Sequence, residues 1–216
     1  SSWPVLHGYV IGAAKASKTD LVEKGAALCL GCHDDLANAH QRAFPHAPIA
    51  EGDCLACHDP HRSTAAGKLL KARQAELCTN CHDDLAAELK KPVVHRPFAE
   101  GKCADCHDAH GSANAALAKS ADGTMCLKCH ESVQHATADP KTAHPPAAKK
   151  DCLRCHTAHA STEKGLLRKS ASQVCASCHG DTAKKLPGKT RHAPFTSGAC
   201  LECHAHEKTK MDNKHQ

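Results

Sequence analysis

Every cysteine of this chain lies in one pentapeptide, Cys-x-x-Cys-His, and the pentapeptide occurs eight times. The copies are Cys29-Leu-Gly-Cys32-His33, Cys54-Leu-Ala-Cys57-His58, Cys78-Thr-Asn-Cys81-His82, Cys103-Ala-Asp-Cys106-His107, Cys126-Leu-Lys-Cys129-His130, Cys152-Leu-Arg-Cys155-His156, Cys175-Ala-Ser-Cys178-His179 and Cys200-Leu-Glu-Cys203-His204. All 16 cysteines are used, and eight of the 20 histidines are fixed directly behind a cysteine pair. Two thiols at this spacing add across the two vinyl groups of one porphyrin, and the adjacent histidine then lies beneath the iron. The spacing predicts eight covalently attached c-type haems, with His33, His58, His82, His107, His130, His156, His179 and His204 as proximal ligands. Zinc sites also use Cys-x-x-Cys pairs, but do not demand histidine after each one. A redox dithiol motif occurs singly in a strand–helix–strand setting, and no such alternation is visible here. A disulfide scaffold leaves the eight histidines unexplained.

A chain so committed has little else from which to build a core. Aromatic residues make up 2% of its 216 residues, and the 41% hydrophobic content is inflated by alanine and cysteine. There are about 27 residues per haem, fewer than the roughly 40 below which a chain seldom folds on its own side chains. Haem faces must therefore supply the core, and neighbouring haems must share walls. The formal charge of +5 does not indicate a nucleic-acid partner, because no basic stripe is interleaved with aromatics. Eight haems with ionised propionates shift that charge to roughly −3 when oxidised and −11 when reduced. No apolar run is long enough to span a membrane. The opening Ser1-Ser2-Trp3-Pro4 reads as a mature terminus after removal of a leader, and the cysteine usage points to a periplasmic or extracellular setting.

The motifs are paired. Alternate first cysteines recur every 48 or 49 residues, so the repeating unit carries two haems and is present four times. The expected organisation is an N-terminal segment 1–20, one octahaem domain of repeats 21–69, 70–118, 119–167 and 168–210, and a tail 211–216. Eight residues before each second motif stands a lead-in histidine, His46, His95, His144 or His192, followed at once or one residue later by proline. A turn glycine follows in three repeats (Gly52, Gly101, Gly198), with Lys150 in the fourth. After each second motif comes a trailing histidine: His61, His110, His159 and His206. Amphipathic stretches such as Lys68–Leu77, and the Ala- and charge-rich Asp83–Lys90, read as short helices. The fold class predicted is mostly irregular chain with short α-helices, little or no β, drawn out as an elongated haem stack.

Eight irons need eight distal ligands, and the lead-in and trailing histidines number eight. Bis-histidine ligation throughout follows, and with it low potentials. Of the two methionines, Met125 fills an apolar slot before a cysteine and Met211 lies in the tail. Four histidines remain: His7, His40, His135 and His215. If each trailing histidine serves the haem attached next along the chain, then His61, His110 and His159 serve those at Cys78, Cys126 and Cys175. His7 then serves the haem at Cys29, as a distal or inter-subunit ligand, and His206 is left to reach a neighbouring subunit.

The paired motifs, the lead-in His-x-Pro and the trailing histidine, over roughly residues 21–210, resemble the doubled CxxCH family of multihaem cytochromes, including subunits of extracellular cytochrome nanowires and porin–cytochrome conduits. The resemblance implies a role in extracellular electron transfer. The function expected is electron transfer through a continuous chain of haems, as a filament-forming wire, with a periplasmic shuttle or conduit subunit as the alternative. An octahaem reductase is the rival from another class; catalysis at haem needs an open iron position, and distal histidines are on hand for all eight. Partners are then redox proteins or further copies of the chain, with no small-molecule substrate.

Overall fold

The computed structural model of the chain describes residues 21–63, 68–141, 143–180, 192–202 and 204. Over these residues the protein is mostly irregular, with short helices and one two-stranded antiparallel sheet. The longest described helix, Ala171–His179, has nine residues. No described helix is long and apolar enough to cross a membrane. The buried hydrophobic residues among those described are Ala39, Leu127 and Ala160. Large apolar side chains inside the motifs, Leu55, Leu153 and Leu201, are exposed. Side-chain burial of this extent does not offset the entropy of ordering the chain, in line with the aromatic-poor composition.

Each lead-in histidine stands at the N-cap of a short helix: Ala47–Ala50, Arg96–Ala99, Pro145–Ala148 and Ala193–Ser197. Proline at the first or second helical position presets the backbone there. Each of these turns ends in a left-handed residue: Gly52, Gly101 and Gly198, with φ of 69–73°, and Lys150, with φ of 58°. The exception at Lys150 has a matching exception opposite it. A Cβ on Gly52, Gly101 or Gly198 would meet the side chain of Ala26, Ala75 or Ser172 at 3.0, 2.6 and 2.6 Å. In the third repeat the residue at that opposing position is Gly123, whose own Cβ would stand 2.5 Å from the Lys150 carbonyl oxygen. The contact keeps one glycine, moved to the other partner. Gly101→Ala is therefore expected to lower the thermal midpoint of the holoprotein. It combines a left-handed penalty of about 1–2 kcal/mol with overpacking against Ala75 of about 1–3 kcal/mol.

One expectation needs correction. The stretch Lys68–Leu77 is not one helix: the helix is Gln74–Thr79, and Lys68 and Leu69 have positive φ. The chain turns back there so that Leu70 can form a bridge to His58. There is also a small sheet. Strand β1, Val93–Val94, pairs antiparallel with β2, Ala160–Ser161, in the register Val93↔Ser161. One repeat earlier Phe44 pairs with Ser112 in the same way, through reciprocal N–H to carbonyl bonds of 2.9 Å. Two-residue strands carry no alternation by which a sequence reading could find them. They tie the first repeat to the second and the second to the third, helped between the first two by Arg42, which donates to Asp108 at 2.7 Å and to the Gly111 carbonyl at 2.6 Å.

Candidate functional site

Each described motif is closed by one helical turn. The histidine N–H donates to the carbonyl of the first cysteine at 2.9–3.1 Å in His33, His58, His82, His107, His130, His156 and His204, and His179 ends the helix that holds its cysteines. In such a turn, positions i, i+3 and i+4 share one face. Both thiols and the imidazole therefore project to the same side.

The thiols come together in chain order. Burial, and next the neighbouring Cys103 thiol, push Cys78 up to about 12. Burial and then Cys152 push Cys126 up to about 11. The same neighbour relation joins Cys29 to Cys54 and Cys175 to Cys200. Across repeat boundaries Cys57 is within electrostatic reach of Cys81, Cys106 of Cys129, and Cys175 of Cys155. Successive attachment points are thus successive neighbours in space.

The histidines are opposed in pairs. His46 faces His82 with ring centroids 6.2 Å apart, His95 faces His130 at 6.1 Å, and His144 faces His179 at 6.1 Å. His58 faces His110 at 6.2 Å, and His107 faces His159 at 5.9 Å. Every pair joins one motif histidine to one lead-in or trailing histidine. Two imidazoles bound at about 2.0 Å on opposite sides of one metal, with centroids about 1.1 Å behind each ligating nitrogen, stand roughly 6.2 Å apart. The Phe98–His159 stack, by comparison, has centroids 4.7 Å apart.

Hydrogen bonds set the tautomers. Nδ1 of His58, His107 and His156 lies 2.8–2.9 Å from the carbonyl oxygens of Lys68, Ala116 and Gly165. Nδ1 of His46 and His95 lies 2.9 and 3.0 Å from those of Ala109 and Ala158. A carbonyl only accepts, so Nδ1 carries the proton and Nε2 keeps the lone pair a metal requires. The carbonyls of Lys68, Ala116 and Gly165 sit in turns whose residues have positive φ. Sequence reasoning missed these carbonyls, although each follows its motif histidine by nine or ten residues. Asp59 and Asp108 accept the N–H of His61 and His110 at 3.0 and 3.1 Å, which fixes the turn of the Cys-His-Asp-x-His segments. Burial pulls His110 and His159 below the usual imidazole range, which favours their neutral, ligating form.

The pairing differs from the neighbour rule expected from sequence. His110 lies beside His58, behind it in the chain, and not beside His130; His159 lies beside His107 and not beside His179. The lead-in histidines His46, His95 and His144 reach forward instead, to the first motif of the next repeat. The side chain of His61, the trailing histidine of the first described repeat, is 87% exposed, against 35% and 31% for His110 and His159. His192 is also exposed. Cys203, His206, His7, His215 and Met211 lie outside the described residues.

The donor set suits haem c and not a structural zinc. Among the described residues no group of three or more His, Cys, Asp or Glu is arranged to hold a metal ion by itself, whereas a four-ligand zinc site needs such a cluster. Two opposed imidazoles, one of them following a cysteine pair, are the donors that would hold the iron and the porphyrin of a haem c. A family model described as the doubled CXXCH motif matches residues 46–87, 95–135 and 144–184. Each match opens on a lead-in histidine and contains the motif histidine opposed to it. No curated protein matches the chain.

Proposed function

The chain belongs to the doubled CXXCH motif family, which matches more than half of its length, and on that premise of a haem-binding electron-transfer protein we propose that it carries eight bis-histidine haems c in one continuous series. The observation that carries this reading is the set of five opposed imidazole pairs. Haem c, when bound, supplies a one-electron ferric–ferrous couple. The chain's residues do the rest. Thioether links through the motif cysteines hold each porphyrin. The motif histidine and the opposed histidine from an adjoining repeat would together hold the iron. Two strong nitrogen ligands on every iron leave no position for a substrate and hold the potential low. The side chains supporting this ligation at the five described pairs are His46, His82, His58, His110, His95, His130, His107, His159, His144 and His179.

Electrons pass along the series because the attachment points adjoin in chain order, so the protein works as a wire between redox partners outside the cytoplasm, in the periplasm or beyond the outer membrane, and assembles into filaments. Haem quantification of the mature holoprotein by pyridine haemochrome, with mass spectrometry of the intact chain, is expected to return eight haems per chain. Near-infrared magnetic circular dichroism is expected to show paired-imidazole ligation. Fewer than eight haems, or a majority of high-spin irons, would overturn the proposal.

A further inference from the structure

The trailing histidines His110 and His159 both face a carboxylate, and the two carboxylates come from opposite sides of the repeat-to-repeat contact. Between the first and second repeats the acid is Asp108, directly behind the motif histidine His107. Its Oδ2 accepts from Arg42 at 2.7 Å. Its Oδ1 takes the His110 backbone N–H at 3.1 Å and lies 4.0 Å from His110 Nδ1. Between the second and third repeats the matching position holds Thr157, whose hydroxyl donates to the Ala160 carbonyl at 2.9 Å. The acid there is Glu88, the last residue of the helix Asp83–Glu88 in the facing repeat. Its Oε1 accepts from Lys91 at 2.7 Å, and its Oε2 lies 3.5 Å from His159 Nδ1.

Counted back from the lead-in histidines His46 and His95, Lys91 stands where Arg42 stands, and Glu88 stands where the buried Ala39 stands. The acid missing at Thr157 thus reappears across the contact, beside a cation in the same place. Phe98 stacks on the His159 ring with centroids 4.7 Å apart, so that imidazole is held on its face as well as at its Nδ1 edge. A carboxylate only accepts, so Nδ1 keeps its proton and Nε2 its lone pair. An anionic acceptor makes the imidazole more basic than a carbonyl does. A more basic ligand, with a negative charge behind it, favours ferric over ferrous iron.

We propose that Glu88 is a positioning residue for His159 and, through that imidazole, lowers the reduction potential of the haem that Cys103 and Cys106 would carry. This rests on the bis-histidine reading above and adds to it a residue that sets one potential in the series.

The test uses the full-length holoprotein, its Glu88→Gln variant, the double variant Glu88→Gln with Thr157→Asp, and Glu100→Gln as control. A redox titration followed by NMR reads each potential, and haem methyls in contact with the His107 and His159 rings identify the haem. Glu88→Gln keeps an acceptor of the same size and removes the charge. It is expected to shift this haem about tenfold toward the ferrous form, a rise of about 59 mV for a one-electron couple, with low-spin ligation retained. Thr157→Asp returns the acid to the position that Asp108 holds, and is expected to reverse most of that rise. Glu100→Gln removes an acid three residues before Cys103 that Arg96 and Lys102 bind at 2.6 Å, and is expected to leave the potential where it is. An unchanged potential in Glu88→Gln would overturn the proposal, as would an equal rise in Glu100→Gln or a double variant no lower than the single one. Loss of low-spin ligation in Glu88→Gln would also overturn it, since Glu88 would then support the fold alone. In each of these cases eight haems and paired-imidazole spectra in the wild type leave the bis-histidine reading standing, whereas their absence removes that reading itself.

Discussion

Produced without haem attachment, the chain is expected not to fold at all. The buried hydrophobic residues among those described are two alanines and one leucine, Ala39, Ala160 and Leu127. Against these stands a backbone entropy cost of about 1–2 kcal/mol for each ordered residue. The ties between repeats are paired strands of two residues, single bridges and a few partly exposed ion pairs such as Arg42–Asp108. A two-stranded pairing of that length is not stable alone in water, and exposed ion pairs contribute about 0–1 kcal/mol each. The strained turns that aim the Lys68, Ala116 and Gly165 carbonyls at motif histidines gain their full value only when the imidazoles are held from the other side. Expression in a host lacking the haem-attachment machinery should yield a product with a disordered far-ultraviolet circular dichroism spectrum. No cooperative thermal transition should appear, and proteolysis should be rapid. A cooperative transition in that product would mean that the polypeptide contacts suffice, and that haem fills a fold already made.

The second large effect concerns which haem a lead-in histidine serves. His46→Met is expected to raise the potential of the haem on Cys78 and Cys81 by on the order of 0.1 V, a fraction of the roughly 0.8 V that axial ligation spans. The haem on Cys54 and Cys57, whose motif begins eight residues after His46, should be unchanged. The reason is geometric. The His46 ring is opposed to His82 at 6.2 Å, while His58 is opposed to His110. The Nδ1 bond from His46 to the Ala109 carbonyl ties the same imidazole to the second repeat. Spectropotentiometry would resolve the shifted haem. Paramagnetic NMR would locate it, through contacts of its shifted haem methyls with the His82 ring. A shift located at His58 instead would mean that lead-in histidines ligate within their own repeat.

Much of the candidate site was legible before any coordinates. The motif is a local turn, so thiol and imidazole placement follows from spacing within five residues. The two-haem period was equally readable, because lead-in and trailing histidines recur in step with the cysteines. The departure at Lys150 was visible as an exception but had no meaning in isolation; Gly123, its counterpart 27 residues earlier, acquires that role only when the two turns pack. The helix expected over Lys68–Leu77 was broken by a tertiary demand, the bridge from His58 to Leu70, that local propensity does not register. The strands β1 and β2 were invisible for the same reason: two residues contain no period.

The sequence by itself determined where the cysteine pairs and their histidines lie and how many further histidines recur in register with them, since all of these depend on neighbours along the chain. Only the tertiary structure decided the pairing. A histidine count is the same whether a trailing imidazole serves the haem ahead of it or the one behind. The choice falls to contacts such as Val93↔Ser161 and Phe98 against His159, which set repeat against repeat at separations where sequence spacing no longer constrains direction. Those contacts turn His110 and His159 backward, and His46, His95 and His144 forward, along the chain.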